Sequence, residues 1–171
     1  MAIESELFRA SESEYGADFN AHYLEQYKLY VEMADRISSR RQSANSFFLS
    51  VNTAVIALIG YVQLGRESVD SPAFYLLVSV AGMVLCYTWY RLIRSYKDLN
   101  SGKFKVIHAL EKKLPVAPYD AEWESLGRGK YPNLYHPFTR VEMIVPWVFF
   151  MLHLTVLMQA IPWASFCNQS P

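Results

Sequence analysis

Three long stretches of the chain contain no charged side chain, and this segregation constrains the fold more than any other feature. No Asp, Glu, Lys or Arg occurs between Ser46 and Gly65, between Ser71 and Tyr90, or between Met143 and Pro171. Each stretch is long enough to cross a hydrocarbon core of about 30 Å as a helix of roughly 20 residues. Because a soluble helix of that length is rarely apolar on every face, the pattern predicts an all-α integral membrane protein with three transmembrane helices.

The basic residues lie almost entirely on one side of this three-span arrangement. Five precede the first span, ten lie between the second and the third, and Arg66 alone occupies the short connection between the first two. Lys and Arg favour the cytoplasmic side of a membrane. The distribution therefore predicts a multi-pass protein with its N-terminus inside and its C-terminus outside.

The first two spans are predicted to extend well beyond the membrane as long helices. From about Asp18 to Leu64 the chain has no proline, and the second helix continues from Pro72 to a stop at Pro115. Apolar residues form a stripe along each extension, namely Tyr23, Tyr27, Tyr30, Ala34 and Ile37 in the first and Leu92, Tyr96, Leu99, Val106, Leu110 and Leu114 in the second. The seven-residue connection GRESVDS makes the helices antiparallel neighbours. We therefore predict a cytoplasmic antiparallel helical hairpin whose stripes pack within one chain. The alternative is that the stripes also pack between subunits.

Four segments follow from this interpretation. Residues 1–17 form an acidic N-terminus without the apolar core of a signal peptide, and we expect it to be flexible. Residues 18–114 form the long helical hairpin, which includes the first two spans. Residues 115–142 form a cytoplasmic loop, rich in proline and aromatic side chains, that we expect to be structured. Residues 143–171 hold the third span and a short outer tail.

Three polar residues inside the spans are candidate intramembrane contacts: Asn52, Thr53 and His153. An ionisable group at membrane depth is a functional hypothesis by default, so His153 is the first candidate. A neutral histidine can also donate one hydrogen bond to a neighbouring helix, and we favour that interpretation. Interhelical hydrogen bonding is likewise the usual role of Asn52 and Thr53, with a pore-lining role as the alternative.

Charged residues at the inner boundary of the spans form a candidate interfacial cluster: Arg40, Arg41, Arg140 and Glu142. Opposite charges at one depth would anchor the helices at the membrane surface. The basic inner face is expected to contact anionic lipid headgroups. Because the formal net charge of the chain is zero, no nucleic-acid partner is indicated.

Apolar residues beside the main stripes form a candidate subunit interface: Leu24, Val31, Ile93, Phe104 and Ile107. Left exposed on a single chain, these side chains would make an apolar patch of the kind that marks an interaction surface. We therefore predict that they pack against neighbouring subunits in the cytoplasm.

No catalytic signature accompanies these features, because the chain has no GxSxG, HExxH, Walker or CxxC motif. The four histidines lack metal-ligand spacing. We expect no catalytic residues, no metal and no cofactor, and we predict an oligomeric membrane scaffold or assembly protein. A regulated pore or membrane-disrupting effector formed between subunits is the first alternative. A membrane enzyme is the second, with Glu142 and His136 as its sole titratable cluster near the membrane surface.

Two segments carry a resemblance to a known family. The run EQYKLYVEMADRISSRRQSANSFFLSVNTA, from Glu25 to Ala54, resembles the RipA family of small octameric bacterial inner-membrane proteins, and the run from Glu122 to Pro146 is also similar. The resemblance implies a ring-like homo-oligomer in the bacterial inner membrane, without known catalytic residues. A looser similarity links the chain to two-span, SLATT-like effector domains of bacterial conflict systems, from which the third span departs.

Overall fold

The structure, a computed structural model, describes residues 3–65, 71–131 and 138–161, and the side chains of 138–140 lie outside this description. Every regular element in these ranges is a helix, which confirms the all-α class. The α-helices are α1 (Ile3–Leu7), α2 (Glu12–Tyr15), α3 (Phe19–Leu64), α4 (Pro72–Glu111), α5 (Pro118–Ser125) and α6 (Phe138–Ala160). A 3₁₀ turn at Gly127–Gly129 follows α5.

The two long helices are continuous, as the sequence predicts. Helix α3 runs for 46 residues without a break and α4 for 40 residues. Helix α4 ends at Glu111, three residues before the predicted end at Leu114. The chain turns here because the Lys113 and Leu114 amides bond back to the carbonyls of Leu110 and Glu111 in a tighter turn ahead of Pro115.

Three helices are long and apolar enough to cross a membrane, so the predicted number of spans is confirmed. They are α3, α4 and the Val141–Ala160 part of α6. Helix α6 begins at Phe138, before the predicted start of the span, and it contains Pro146. Many large apolar side chains on the outward faces of these helices are exposed, as a lipid solvent requires.

The chain divides into two compact units. The hairpin unit comprises Met1–Arg41 and Ser95–Phe138, and the membrane unit comprises Gln42–Arg94 and Thr139–Pro171. The hairpin unit contains the tyrosine-rich stripe of α3, and the membrane unit contains the apolar portions of the three spans.

Contacts within the hairpin unit confirm that the α3 stripe packs within one chain. The Tyr23 hydroxyl donates a hydrogen bond to the carbonyl of Leu110 on α4. The Lys103 ammonium, on an almost fully buried side chain, lies 4.4 Å from the centre of the Tyr30 ring. This cation–π contact explains how a lysine is accommodated within the stripe of α4.

The N-terminal segment contains two short helices and contacts the hairpin through its side chains. Residues 3–7 and 12–15 form the short helices α1 and α2. The Phe8 ring stacks on Tyr23 with centroids 6.3 Å apart, and the Lys113 ammonium lies 3.5 Å from the centre of the Phe8 ring. Glu4 forms an ion pair with Lys112 at 2.5 Å. Acidic and aromatic side chains of this segment thus contact the basic end of α4, and its flexibility stays a prediction.

The loop between the hairpin and the third span contains regular structure. Helix α5 begins with Pro118 at its first position, where the missing N–H costs no hydrogen bond. Gly127, Arg128 and Gly129 all have positive φ, and Arg128 is tied to Asp120 and Glu124 of α5 by ion pairs. Residues 132–137 of this loop lie outside the described ranges.

Candidate functional site

Two asparagines on α3, Asn45 and Asn52, organise the interior of the membrane unit. They are seven residues apart, so they lie on the same face of the helix two turns from each other. Each forms side-chain hydrogen bonds to residues of α4 and α6. We call these two clusters the Asn45 node and the Asn52 node.

The Asn52 node joins three helices through one amide oxygen. The Asn52 amide nitrogen donates to the Phe48 carbonyl one turn back at 2.8 Å, which directs its oxygen away from that turn. That oxygen accepts a hydrogen bond from the Cys86 thiol at 3.2 Å and lies 3.2 Å from Nε2 of His153. Because a carbonyl oxygen only accepts, the imidazole must carry a proton on Nε2. The node is thus neutral when Nδ1 is unprotonated.

The His153 ring fits against the backbone of α4 because residue 82 is glycine. A Cβ at Gly82 would lie 2.3–2.5 Å from three atoms of the imidazole. Ser79, one turn from Gly82 on α4, is fully buried, as is His153. Within the described part of the chain, neither the Ser79 hydroxyl nor Nδ1 of His153 has a hydrogen-bond partner.

The Asn45 node lies two helical turns from the first and uses a different set of donors. The indole N–H of Trp89 donates to the Asn45 side-chain oxygen at 2.9 Å. The Asn45 amide nitrogen donates to Oε1 of Glu142 at 2.8 Å. The Phe48 ring, between the two asparagines in sequence, stacks on Trp89 with an interplanar angle of 9°. The amide of Asn45 therefore bridges α4 and α6.

The chemistry of both nodes is that of hydrogen bonding between helices. Asn52, Cys86 and His153 are each at most 1% exposed, so their polar atoms contact other side chains rather than solvent in this conformation. No group of three His, Cys, Asp or Glu residues suited to a metal ion occurs within residues 3–65, 71–131 and 138–161. The geometry favours a role in fixing how the three spans pack.

A third node, the Glu111 node, lies in the hairpin unit and is built on a buried carboxylate. Glu111 is 1% exposed at the end of α4. Its two oxygens accept hydrogen bonds from the Tyr119 and Asp120 amides at 2.9 and 3.0 Å. These amides are among the unpaired donors in the first turn of α5, so Glu111 caps a helix that has no side-chain cap of its own.

The same carboxylate also holds α3. The Tyr27 hydroxyl donates to Oε1 of Glu111 at 3.1 Å. Burial, reinforced by the hydrogen bond to Glu111 and by its charge, raises the pKa of Tyr27 to about 12. Nδ1 of His108 lies 3.7 Å from carboxylate oxygens of both Glu111 and Asp120. Glu111 therefore links α3, α4 and α5.

The structure brings together some of the candidate residues predicted from the sequence, but not all of them. Asn52 and His153 meet in one node, whereas Thr53 is exposed on another face of α3. Glu142 bonds to Asn45, which sequence reasoning did not single out. Arg40 is exposed, Arg41 is half-buried, and the side chain of Arg140 lies outside the described residues.

The predicted subunit interface is wrong for two of its five members. Ile93 and Ile107 are 1% and 0% exposed, so they are buried within the chain and cannot contact a neighbouring subunit. They lie on the buried face of α4, whereas Leu99 of the predicted stripe is half exposed. The contact with a neighbouring subunit stays a prediction for exposed Leu24 and for the half-buried Val31 and Phe104, although the Phe104 ring contacts Tyr119 within the chain at 5.7 Å.

Several residues of the nodes were missed by sequence reasoning: Asn45, Ser79, Gly82, Cys86, Trp89 and Glu111. The seven-residue spacing of the two asparagines was a usable signal for the membrane nodes. For Glu111 the signal was weaker, since it consisted of a glutamate followed seven residues later by a proline suited to begin a helix.

One family model matches most of the chain. The model, described as the octameric membrane protein family (8xMP), matches residues 24–162. This range includes the three spans and the three nodes, and the match confirms the resemblance to small octameric membrane proteins. No curated protein and no solved structure matches the chain.

Proposed function

We propose, from the premise that this chain belongs to the octameric membrane protein family, that it is a scaffold whose copies assemble in the membrane. The observation that carries the proposal is the family match over residues 24–162. It is supported by interior polar groups that bond one helix to another within a chain. Such groups make each subunit a fixed building block, and assembly then needs only the outward faces.

The proposed location is the bacterial inner membrane, with the N-terminus inside and the C-terminus outside. The asymmetry of basic residues along the sequence supports this orientation. Arg91, Arg94 and Lys97 are exposed just after the apolar part of α4. Side chains of this type at a membrane surface attract anionic lipid headgroups, which we propose as the lipid partner.

We propose no catalytic role for the nodes. In the Asn52 node the thiol, amide and imidazole are all buried and engaged with one another. In the Glu111 node both carboxylate oxygens accept hydrogen bonds from the backbone of α5. These arrangements suit helix positioning better than reaction with a substrate.

A pore between subunits is the second candidate, because one exposed face of α3 carries hydroxyl groups. Ser46, Ser50 and Thr53 lie on this face within the charge-free part of the helix. Hydroxyl groups can line a water-filled path as well as a contact between helices. The buried position of Asn52 removes it from this pore-lining set.

Light scattering on the purified protein tests self-assembly. After correction for bound detergent, size-exclusion chromatography with multi-angle light scattering is expected to give a protein mass eight times that of the 19.7 kDa chain. A monomeric mass across several mild detergents and in nanodiscs would overturn the scaffold proposal.

A flux assay separates the scaffold from the pore. Liposomes that hold an entrapped dye and contain the octamer are expected to retain the dye as well as protein-free liposomes do. Leakage that depends on the octamer, and that changes when Ser50→Val removes a hydroxyl, would favour the pore.

A further inference from the structure

We propose that neighbouring copies contact each other through two different faces of the membrane unit. The hydroxyl face belongs to α3 and consists of Ser46, Ser50, Thr53 and Ala57. The apolar ridge belongs to α6 and consists of Ile144, Trp147, Val148, Met151 and Leu152. The inference rests on the proposed self-assembly and adds the surfaces that carry it.

The hydroxyl face differs from the surface that α4 presents. Its four residues are exposed and follow one another at spacings of four, three and four, so they form one line along α3. The outward face of α4 also has the small exposed residues Ala81 and Thr88, but they lie among exposed Leu77, Val80 and Val84. Small side chains at the surface of a membrane helix are typical of helix–helix contacts, because they let two backbones approach closely.

The hydrogen bonding of the hydroxyl groups is also consistent with a contact between the hydroxyl face and a neighbouring copy. Elsewhere in the spans, Thr88 and Thr155 donate to carbonyls one turn back, at 2.9 Å in both cases. In the described ranges, no side-chain hydrogen bond joins Ser46, Ser50 or Thr53 to another residue. Since hydrocarbon offers no hydrogen-bond acceptor, these three hydroxyls can donate either to carbonyls one turn back, as Thr88 and Thr155 do, or to acceptors on a second copy. A second copy supplies backbone and side-chain acceptors at that surface.

The apolar ridge of α6 offers large side chains where the hydroxyl face offers small ones. Its five side chains are exposed and large, and together with Thr155 they border a shallow hollow of about 400 Å³. A closed ring of identical copies repeats one head-to-tail contact, so each copy must offer two different surfaces. A line of small residues and a ridge of large ones provide such a pair.

The internal hydrogen bonds set the depth at which the two faces meet. On α3 the two nodes are centred at Asn45 and Asn52, and their partners on α6 are Glu142 and His153. The two helices therefore run in the same direction through the membrane unit. In a ring whose axis is normal to the membrane, equivalent residues of all copies lie at the same depth. Ser50 and Met151 each lie between the two nodes along their helices, which makes this pair the best test.

Disulfide cross-linking tests the contact in the assembled protein. Ser50→Cys and Met151→Cys are introduced together into a Cys167→Ser background, while the buried Cys86 is retained. Oxidation in membranes is expected to give a ladder of cross-linked species from dimer up to octamer, because head-to-tail contacts link every copy to the next. Each single substitution is expected to give no ladder. The matched control, Ser50→Cys with Val80→Cys on the outward face of α4, is also expected to give none.

Three outcomes would overturn the inference. Dimers from Ser50→Cys alone would mean that α3 meets α3 across a two-fold axis. No ladder from the double variant, in a protein of unchanged octameric mass, would place the contacts elsewhere and leave the scaffold proposal intact. Rapid labelling of Ser50→Cys in the octamer by a charged, membrane-impermeant thiol reagent would mean that the hydroxyl face borders water. A monomeric wild-type protein would instead contradict the proposed function itself.

Discussion

The membrane unit and the hairpin unit each contain an almost fully buried polar side chain that links three helices, yet these two side chains differ in charge. In the membrane unit the linker is the neutral amide of Asn52, and in the hairpin unit it is the carboxylate of Glu111. Burying a charge costs far more than burying an amide, and the cost is highest within a hydrocarbon core. The difference indicates that the solvent around a helix bundle determines whether the buried linking side chain is charged or neutral.

The carboxylate is stabilised by the number and the type of its partners. Two backbone amides of the first turn of α5 and the Tyr27 hydroxyl converge on Glu111. A helix N-terminus also favours negative charge through the alignment of its peptide dipoles. By contrast, the Asn52 oxygen accepts only from a thiol and an imidazole, which suffices for an uncharged acceptor.

Replacement of the carboxylate by an amide should have the largest effect. In Glu111→Gln, one oxygen becomes an NH₂ group that faces a backbone N–H of α5, and at least one buried donor loses its acceptor. We expect a loss of about 3 kcal/mol in the stability of the hairpin unit. Hydrogen exchange at the amides of Tyr119 and Asp120, followed by mass spectrometry, should become faster while exchange in the spans is unchanged.

The control for this substitution lies on α5 itself. Glu122 is exposed, and Glu122→Gln makes the same chemical change without touching a buried donor. Equal acceleration of exchange in both variants would mean that the charge of α5 and its surroundings matters, rather than the cap formed by Glu111.

A methyl group at Gly82 tests the membrane unit. Its effect on stability should be smaller than that of Glu111→Gln and larger than that of Tyr27→Phe. In Gly82→Ala, the new Cβ would occupy the space of the His153 ring, so the imidazole must move and its contact with Asn52 is lost. Overpacking of this kind costs about 1–3 kcal/mol. The apparent melting temperature of the purified protein should fall, with faster hydrogen exchange confined to the membrane unit.

Gly102→Ala is the matched control on the same helix. A Cβ at Gly102 meets nothing within 4 Å, so this variant should be tolerated or slightly stabilised. If Gly82→Ala melts at the same temperature as Gly102→Ala, the close approach of His153 to α4 is wrong.

The smallest effect is expected from the hydroxyl that joins α3 to Glu111. Tyr27→Phe removes one of three donors to the carboxylate and should cost about 1 kcal/mol. The pKa of Tyr27 is about 12 in the folded state, compared with about 10 in the unfolded chain. The folded state therefore binds the phenolic proton more tightly, and the neutral phenol stabilises it. The contribution of Tyr27 to the free energy of unfolding is fully present below about pH 10 and is lost as the pH rises towards 12.

Ultraviolet difference titration isolates this residue among the 12 tyrosines. The phenolate absorbance of the wild type minus that of Tyr27→Phe should rise with a midpoint near pH 12. A midpoint near pH 10 would show that Tyr27 is solvated and is not bound to Glu111.

The spans and the long helices could be predicted from the sequence because their signals are local. A charge-free stretch of about 20 residues and the absence of proline can each be recognised from neighbouring residues in the sequence, without knowledge of tertiary contacts. Asn52 and His153 were identified for a similar reason, since a polar residue in an apolar stretch stands out in sequence. Their mutual contact was not predictable, because it depends on which faces of α3 and α6 meet.

The rotation of α4 shows why the rest could not be predicted. Its predicted stripe included Leu99, whereas the buried face carries Ile93, Lys103 and Ile107. A lysine at a buried position contradicts simple apolar periodicity, and the Tyr30 ring stabilises its ammonium group there through a cation–π contact. The cap formed by Glu111 likewise depends on the turn that follows α4, which sequence patterns do not determine.

Hydrogen-bonded partners that are close in sequence can meet earlier during synthesis than partners that are far apart. Glu111 and Tyr119 are eight residues apart, so this cap can close soon after both residues leave the ribosome. Asn52 and His153 are separated by 101 residues, and their contact must wait until the last span has been synthesised and inserted. Until then Asn52 has no imidazole partner. The arrival of α6 therefore completes the subunit, and assembly with other copies should follow it.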